Sequence, residues 1–245
     1  MPPGPLMDGP LIKYCSGVEP PSHRLLEALC YPRGPCGLRL EEARRAGVEG
    51  FCYTGNALNP VILGKGHSST VLLGARRGGL VAVKVRRLDS KRDSLAGEGR
   101  LLEEASRHGA APKPHYYSRD LIIMDYIPGP SLGDLRSTPY WPRSVLEALE
   151  AARALDAAGI LHYELRRPWK HVLFTGSMKA VVIDFESAGR GCGSVSKLLG
   201  GLAPLLGGVD VAVRLRGLLR VYNRECSRDY YEEIVGFVRG LLGLV

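Results

Sequence analysis

The sequence predicts an α+β protein in two lobes, with strands first and helices afterwards. Three observations carry this. From Val61 the apolar residues recur at strand period, in VILGKG, STVLLGARR and LVAVKVRR, with Gly78-Gly79 as a turn between the last two. From Ser144 to Ala158 they recur at helical period, and the remainder from Ser194 reads as helix. Between these regions the run LIIMDYI is broken by PGPSLGDL, which places the junction near Ile127 to Gly129.

Taken in order, the opening MPPGPLMDGP is rich in Pro and Gly and reads as a tail, and Leu26 to Gly47 carries short helical patterns, the clearest being LRLEEARRAG. Residues 1–60 are thus an extension, 61–127 a strand-rich lobe built on a three-stranded antiparallel meander, and 128–245 a mostly helical lobe. A helix beginning near Asp93 or Ser94 and ending at Gly109 interrupts the strands. In the helix Ser144 to Ala158, Val145, Leu149, Ala152 and Leu155 share a face and Gly159 is the stop. Beyond the stretch ILHYELRRPWK, HVLF and KAVVIDF form two short strands around a turn at Gly176.

Composition excludes some classes. The longest apolar segments, such as GLLGLV, fall far below the roughly eighteen residues of a membrane span, and no basic-then-apolar leader opens the chain, so the expectation is a cytoplasmic protein. The net charge is +8, from 25 Arg and 8 Lys against 25 acids, which makes anionic partners plausible, although no aromatic residues interleave the Arg pairs as in nucleic-acid-binding surfaces. No Gln and only three Asn occur, a shortage of heat-labile amides. The six cysteines, at 15, 30, 36, 52, 192 and 226, show no zinc spacing and are expected to be buried free thiols.

The chemistry-bearing residues come in a series. In LGKGHSSTV, Gly64, Gly66, Ser69 and Val71 suit a hairpin whose backbone N–H groups cover phosphates, and the strand that follows argues against a Rossmann turn. Lys84 lies within the apolar strand VAVKV, on the face opposite Val83 and Val85. Leu95, Leu101, Leu102 and Ala105 stand at −3, +3, +4 and +7 from Glu98, which puts a carboxylate in the middle of an apolar helix face. Such a carboxylate is costly unless paired, and Lys84 is its expected partner. Asp184 is a single acid at the end of the apolar run KAVVID, where a charge is tolerated if it binds a cation. Each motif also has a plain structural reading: a glycine hairpin, a Lys reaching to water, a packed His162, a turn-capping Asp184.

In this order and spacing, Gly64/Gly66, VAVK, Glu98, MDY, the His162 loop and Ile183-Asp184-Phe185 resemble the eukaryotic-like protein kinase superfamily. The short step from Lys84 to Glu98 is most similar to the atypical branch that holds the RIO kinases and the kinase subunit of the KEOPS complex. RPWKH and DFES resemble predicted archaeal Ser/Thr kinases. The resemblance covers about Val61 to Gly191 and implies a bilobal protein-kinase-like fold that uses ATP and Mg²⁺, with Mn²⁺ as an alternative. It implies that Lys84 holds α- and β-phosphates and Glu98 orients it. By the same likeness Met124 guards the adenine pocket, and the backbone at Asp125 and Ile127 bonds the base.

Departures from the family pattern qualify this. Glu164 stands where the family has its catalytic Asp, with oxygens about one ångström further out for the extra methylene, and can still act as base. His171 takes the place of the second metal ligand, thirteen residues before Asp184, implying two inserted residues; imidazole suits Mg²⁺ poorly. Arg166 is the candidate to neutralise the transferred phosphoryl group, ahead of Lys170. Glu186 replaces the usual Gly, where a positive φ would be expensive. No Ala-Pro-Glu follows, so the typical peptide-binding platform is absent.

The acceptor on this reading is a Ser or Thr of a protein substrate, or of the chain itself. Two alternatives stay open: a small-molecule phosphotransferase of the choline or aminoglycoside kinase type, and an ATPase or nucleotide-binding subunit associated with RNA or a ribonucleoprotein.

Overall fold

The computed structural model describes residues 14–16, 22–32, 37–54 and 59–244. The expected N-terminal tail and Cys36 lie outside them. The chain is α+β, with an antiparallel main sheet, and it divides into two compact units. Among the described residues, one unit holds those up to Gly99 together with Pro114–Tyr126, and the other holds Arg100–Lys113 and those from Ile127.

The first unit begins with strand β1 (Tyr14–Ser16) and helices α1 (His23–Leu29) and α2 (Gly37–Arg45). Strands β2 (Gly50–Thr54), β3 (Asn59–Pro60), β4 (Ile62–Lys65), β5 (Ser69–Arg76) and β6 (Gly79–Arg86) follow. After helix α3 (Ala96–Arg107), which runs on into the residues of the second unit, β7 (Pro114–Tyr117) and β8 (Leu121–Asp125) complete an eight-stranded sheet. Its order is β1-β2-β5-β6-β8-β7, with β3 beside β2 and β4 beside β5. The three-stranded meander of the sequence is therefore the centre of a larger sheet. GFCYT, within the residues read as an extension, pairs with β5 through Gly50 to Ala75 and Phe51 to Gly74.

Period-2 alternation gives the sheet two distinct faces. Val81, Val83 and Val85 join Leu72, Leu121 and Ile123 on the face covered by Leu25, Leu29, Leu40 and Ala43 of α1 and α2, all buried. Arg39 of α2 is 5% exposed and spans this seam. It donates to the carbonyls of Leu29 and Arg86 and to Asp120 Oδ1 at 2.9 Å, and Asp120 also accepts from Arg86 Nε at 2.7 Å. Burial holds the Arg39 pKa below its usual value, against the raising effect of Asp120.

The second unit contains α4 (Leu132–Leu135), α5 (Trp141–Ala157), β9 (Ile160–Leu161), β10 (Val172–Phe174), β11 (Ala180–Val182) and β12 (Gly189–Arg190). Helices α6 (Ser194–Leu206), α7 (Gly208–Glu225) and α8 (Arg228–Leu241) follow. β10 and β11 form one antiparallel pair and β9 and β12 another. Gly159 ends α5 at φ +65°, the left-handed conformation expected of a stop glycine. Among the described residues no helix is long and apolar enough to cross a membrane.

The cysteines depart from expectation. Cys192 and Cys226 form a disulfide across 34 residues, Cys30 and Cys52 are each disulfide-bonded, and none of the described cysteines is a free thiol. Closing a loop of that length is worth about 4 kcal/mol of chain entropy in the simple loop-closure treatment. The zinc-spacing rules that govern Cys-x-x-Cys pairs carry no information about cysteines so far apart, so spacing alone cannot tell a bridged pair from two thiols.

Candidate active site

In the first unit the sheet places Lys84 in the middle of β6, in register with Val71 of β5 and Ile122 of β8. Its position on the face opposite Val83 and Val85 turns it away from α1 and α2. Lys84 is 4% exposed and Glu98 7%, and Lys84 Nζ donates to Glu98 Oε1 at 2.6 Å. A charge-assisted bond this short, formed where water is nearly excluded, fixes both side chains.

Position 99 is what lets α3 come close enough. A Cβ there would lie 2.4 Å from Cγ and 2.5 Å from Cβ of Tyr117 on β7. Those atoms lie near the root of the tyrosine, so the ring cannot swing clear. Gly99→Ala is therefore expected to cost about 1–3 kcal/mol by overpacking and to push Glu98 away from Lys84. Gly99→Ala combined with Tyr117→Ala should fall short of the summed losses of the two single variants, read by urea denaturation, whereas simple addition would show that the clash is not the cause.

The hairpin of β4 and β5 turns at Gly66, His67 and Ser68, closed by the Gly66 N–H donating to the Ser69 carbonyl at 2.9 Å. A Cβ at Gly64 would meet nothing within 4 Å, and one at Gly66 only the Ser69 carbonyl at 3.7 Å. The fold itself thus makes no steric demand for glycine at either position. Behind the turn, Arg87 donates to the Gly66 carbonyl at 2.9 Å while its own N–H donates to the Ser68 carbonyl at 2.8 Å. Asp89 grips the Arg87 guanidinium with both oxygens, at 2.8 and 2.6 Å. Lys65 and Arg87 both lie over the Tyr31 ring, 3.5 and 4.6 Å from its centroid. Ser69 is buried and Val71 half-buried; Met124 pairs with Ala82, and Asp125 holds His115 Nε2 at 2.8 Å. Ile127 begins the second unit.

In the second unit the stretch from His162 to His171 folds as two successive 3-10 turns, Tyr163–Arg166 and Pro168–Lys170. His162 is fully buried, its ring meets the Phe185 ring edge-on at 4.9 Å, and its backbone N–H donates to Ser194 Oγ at 3.0 Å. Burial lowers its pKa to about 4, with the neighbouring His171 acting in the same direction, against opposing effects from Asp184 and Glu164. His162 is consequently a neutral packing residue that supports the loop.

Glu164, His171 and Asp184 all act electrostatically on His162. Glu164 is two-fifths exposed, its Oε2 lies 4.0 Å from His171 Nε2, and its Oε1 accepts from the Ser187 hydroxyl at 3.1 Å. The His171 carbonyl accepts from the Ile183 N–H at 2.9 Å, which fixes it beside the residue preceding Asp184. Asp184 has φ +67° and ψ 72°, left-handed backbone that a non-glycine residue adopts only under local constraint. Glu186, where a positive φ would be expensive, sits inside a 3-10 turn without one, and the left-handed residue is Asp184, of a type that tolerates it better. Arg166 and Lys170 are exposed, and neither forms an ion pair with a described residue.

Two further residues contribute that no sequence motif marks. One is Ser187, bound to Glu164. The other is Asp156, 3% exposed, whose Oδ1 accepts from the N–H groups of Gly193 (2.8 Å) and Ser194 (2.6 Å). Its Oδ2 accepts from the Val195 N–H at 3.0 Å and the Tyr222 hydroxyl at 2.9 Å. Asp156 thereby caps α6 and holds Ser194 against His162. Burial raises its pKa, opposed by these same hydrogen bonds. Its signal was available: Asp156 stands four residues after Ala152 on the apolar stripe of α5.

Among the described residues no group of three or more His, Cys, Asp or Glu side chains is arranged to hold a metal ion. Compared with models of known protein families and with curated protein sequences, the chain matches none.

Proposed function

We propose that the chain is an ATP-dependent phosphotransferase with an atypical, RIO-like protein-kinase fold, acting on Ser or Thr hydroxyls. The observation that carries the proposal is the buried Lys84–Glu98 pair. A lysine and a glutamate kept this dry are not required as a pair for stability, since two apolar residues of similar size serve a core as well or better. A retained, carboxylate-anchored ammonium is well suited to gripping phosphate oxygens. Gly64 and Gly66 suit the same reading: without side chains there, the hairpin backbone is open to close approach by phosphate oxygens, although Gly64 also stands at a register shift of the β4–β5 pair.

In the second unit Asp184 would hold the divalent metal that neutralises phosphate charge. Mg²⁺ bound through one or two carboxylates and the nucleotide needs no all-protein cage, which fits the absence of one among the described residues. His171 fits less well, because its buried Nδ1 makes no hydrogen bond, whereas metal-ligating imidazoles ordinarily donate from their second nitrogen. Glu164 would accept the proton of the acceptor hydroxyl, and exposed Arg166 would meet the transferred group. Met124 and the backbone at Asp125 and Ile127 would receive the base.

Incubation with γ-labelled ATP and Mg²⁺ or Mn²⁺, with and without a mixed protein extract, tests this. Label is expected on protein, and Asp184→Ala should reduce it by about 10³-fold or more. Label on free alcohols alone would replace this reading with the small-molecule one, and RNA-stimulated hydrolysis without any phosphoprotein would replace it with the ATPase one.

A further inference from the structure

We infer that Ser187 is an intramolecular phosphoryl acceptor, its hydroxyl already seated on the carboxylate that would deprotonate it. This rests on the reading of Glu164 as the base. Ser187 Oγ donates to Glu164 Oε1 at 3.1 Å, within the reach required of a general base and its substrate hydroxyl. The two residues are 23 apart in sequence, so the contact is made by the fold and not by local chain geometry.

The fold also holds the hydroxyl still. Ser187 closes the 3-10 turn Phe185–Ser187, which is anchored by the buried Phe185 ring against His162 and by the Ala188 N–H donating to the Phe185 carbonyl at 3.1 Å. Other hydroxyls of this region are committed elsewhere: Ser194 donates to the Ile160 carbonyl, Ser196 to Asn223, and Thr175 pairs with Ser177. His171 lies toward Glu164 Oε2, which leaves Oε1 to the serine.

In the step, Glu164 Oε1 takes the Ser187 proton as Oγ forms a bond to the γ-phosphorus of a nucleoside triphosphate. The bond from that phosphorus to the β,γ-bridging oxygen breaks, and its electron pair leaves with the nucleoside diphosphate. Glu164, two-fifths exposed, then returns the proton to water. The product is a phosphoserine of charge about −1.5 to −2 beside a carboxylate. Its one hydroxyl consumed, Ser187 takes a single phosphoryl group per molecule.

The test uses the full chain with ATP and Mg²⁺ or Mn²⁺, reading intact mass, fragmentation mapping and ATP hydrolysis over a wide range of protein concentration. One phosphoryl group per chain is expected, on Ser187, at a per-molecule rate independent of protein concentration. Ser187→Ala should lose it, Ser187→Thr keep it, and Glu164→Gln slow it by about 10²-fold or more. Label on another residue, or a per-molecule rate that climbs with concentration, overturns the inference and leaves phosphotransfer standing. Hydrolysis without label overturns the inference and leaves only nucleotide chemistry. The absence of both hydrolysis and label removes the kinase reading and the inference with it.

Discussion

Lys84→Met is expected to destabilise the protein by about 3–5 kcal/mol, because it strips a nearly dry carboxylate of the ammonium 2.6 Å away. Glu98→Leu should cost a similar amount for the mirror-image reason. The double variant Lys84→Met/Glu98→Leu should recover most of the loss, since two apolar side chains then pack where two charges were held. Chemical denaturation of the four proteins forms a cycle whose coupling energy isolates the pair. Strict additivity of the two single losses would mean that the charges do not depend on each other. If the chain is the phosphotransferase proposed, labelling from γ-labelled ATP is the contrasting measurement: stability is expected to return in the double variant and labelling is not, which separates a core contact from a phosphate grip.

Asp156→Ala is the second large effect, expected at about 3–5 kcal/mol by melting or denaturation, because three backbone N–H groups at the start of α6 and the Tyr222 hydroxyl lose their acceptor together. Asp156→Asn should fall between, since one oxygen still accepts while the amide nitrogen faces the Val195 N–H, a donor. Tyr222→Phe should cost only about 1 kcal/mol. A loss below about 1 kcal/mol for the alanine variant would mean that water replaces the carboxylate, contrary to its 3% exposure.

Lys84 and Glu98 were legible because each violates its own element's pattern: a lysine in an apolar strand, a glutamate centred on an apolar helix face. Asp156 breaks the α5 stripe in the same way and could have been found by the same test. Ser187 could not, since nothing in DFES tells which of the many carboxylates its hydroxyl will meet. The strand GFCYT was missed because five residues after a helix stop carry too little alternation to register, yet the sheet needs them beside β5. The left-handed backbone of Asp184 was not legible, because KAVVIDFES carries no glycine or asparagine at that place to mark a positive φ. Cys192 and Cys226 were unreadable as a pair because only the fold brings the start of α6 and the end of α7 within a Cα separation of 6.1 Å.

The seam that Arg39 makes with Asp120 and Arg86 sets how short a self-sufficient piece of this chain can be. The recognisable motifs start at Val61, but a fragment cut there would uncover a valine-rich surface and leave the half-buried Asp120 short of one of its guanidinium partners. A shortened chain therefore has to keep the helices ahead of Val61, because an uncovered apolar sheet face is a surface on which copies of the chain can associate.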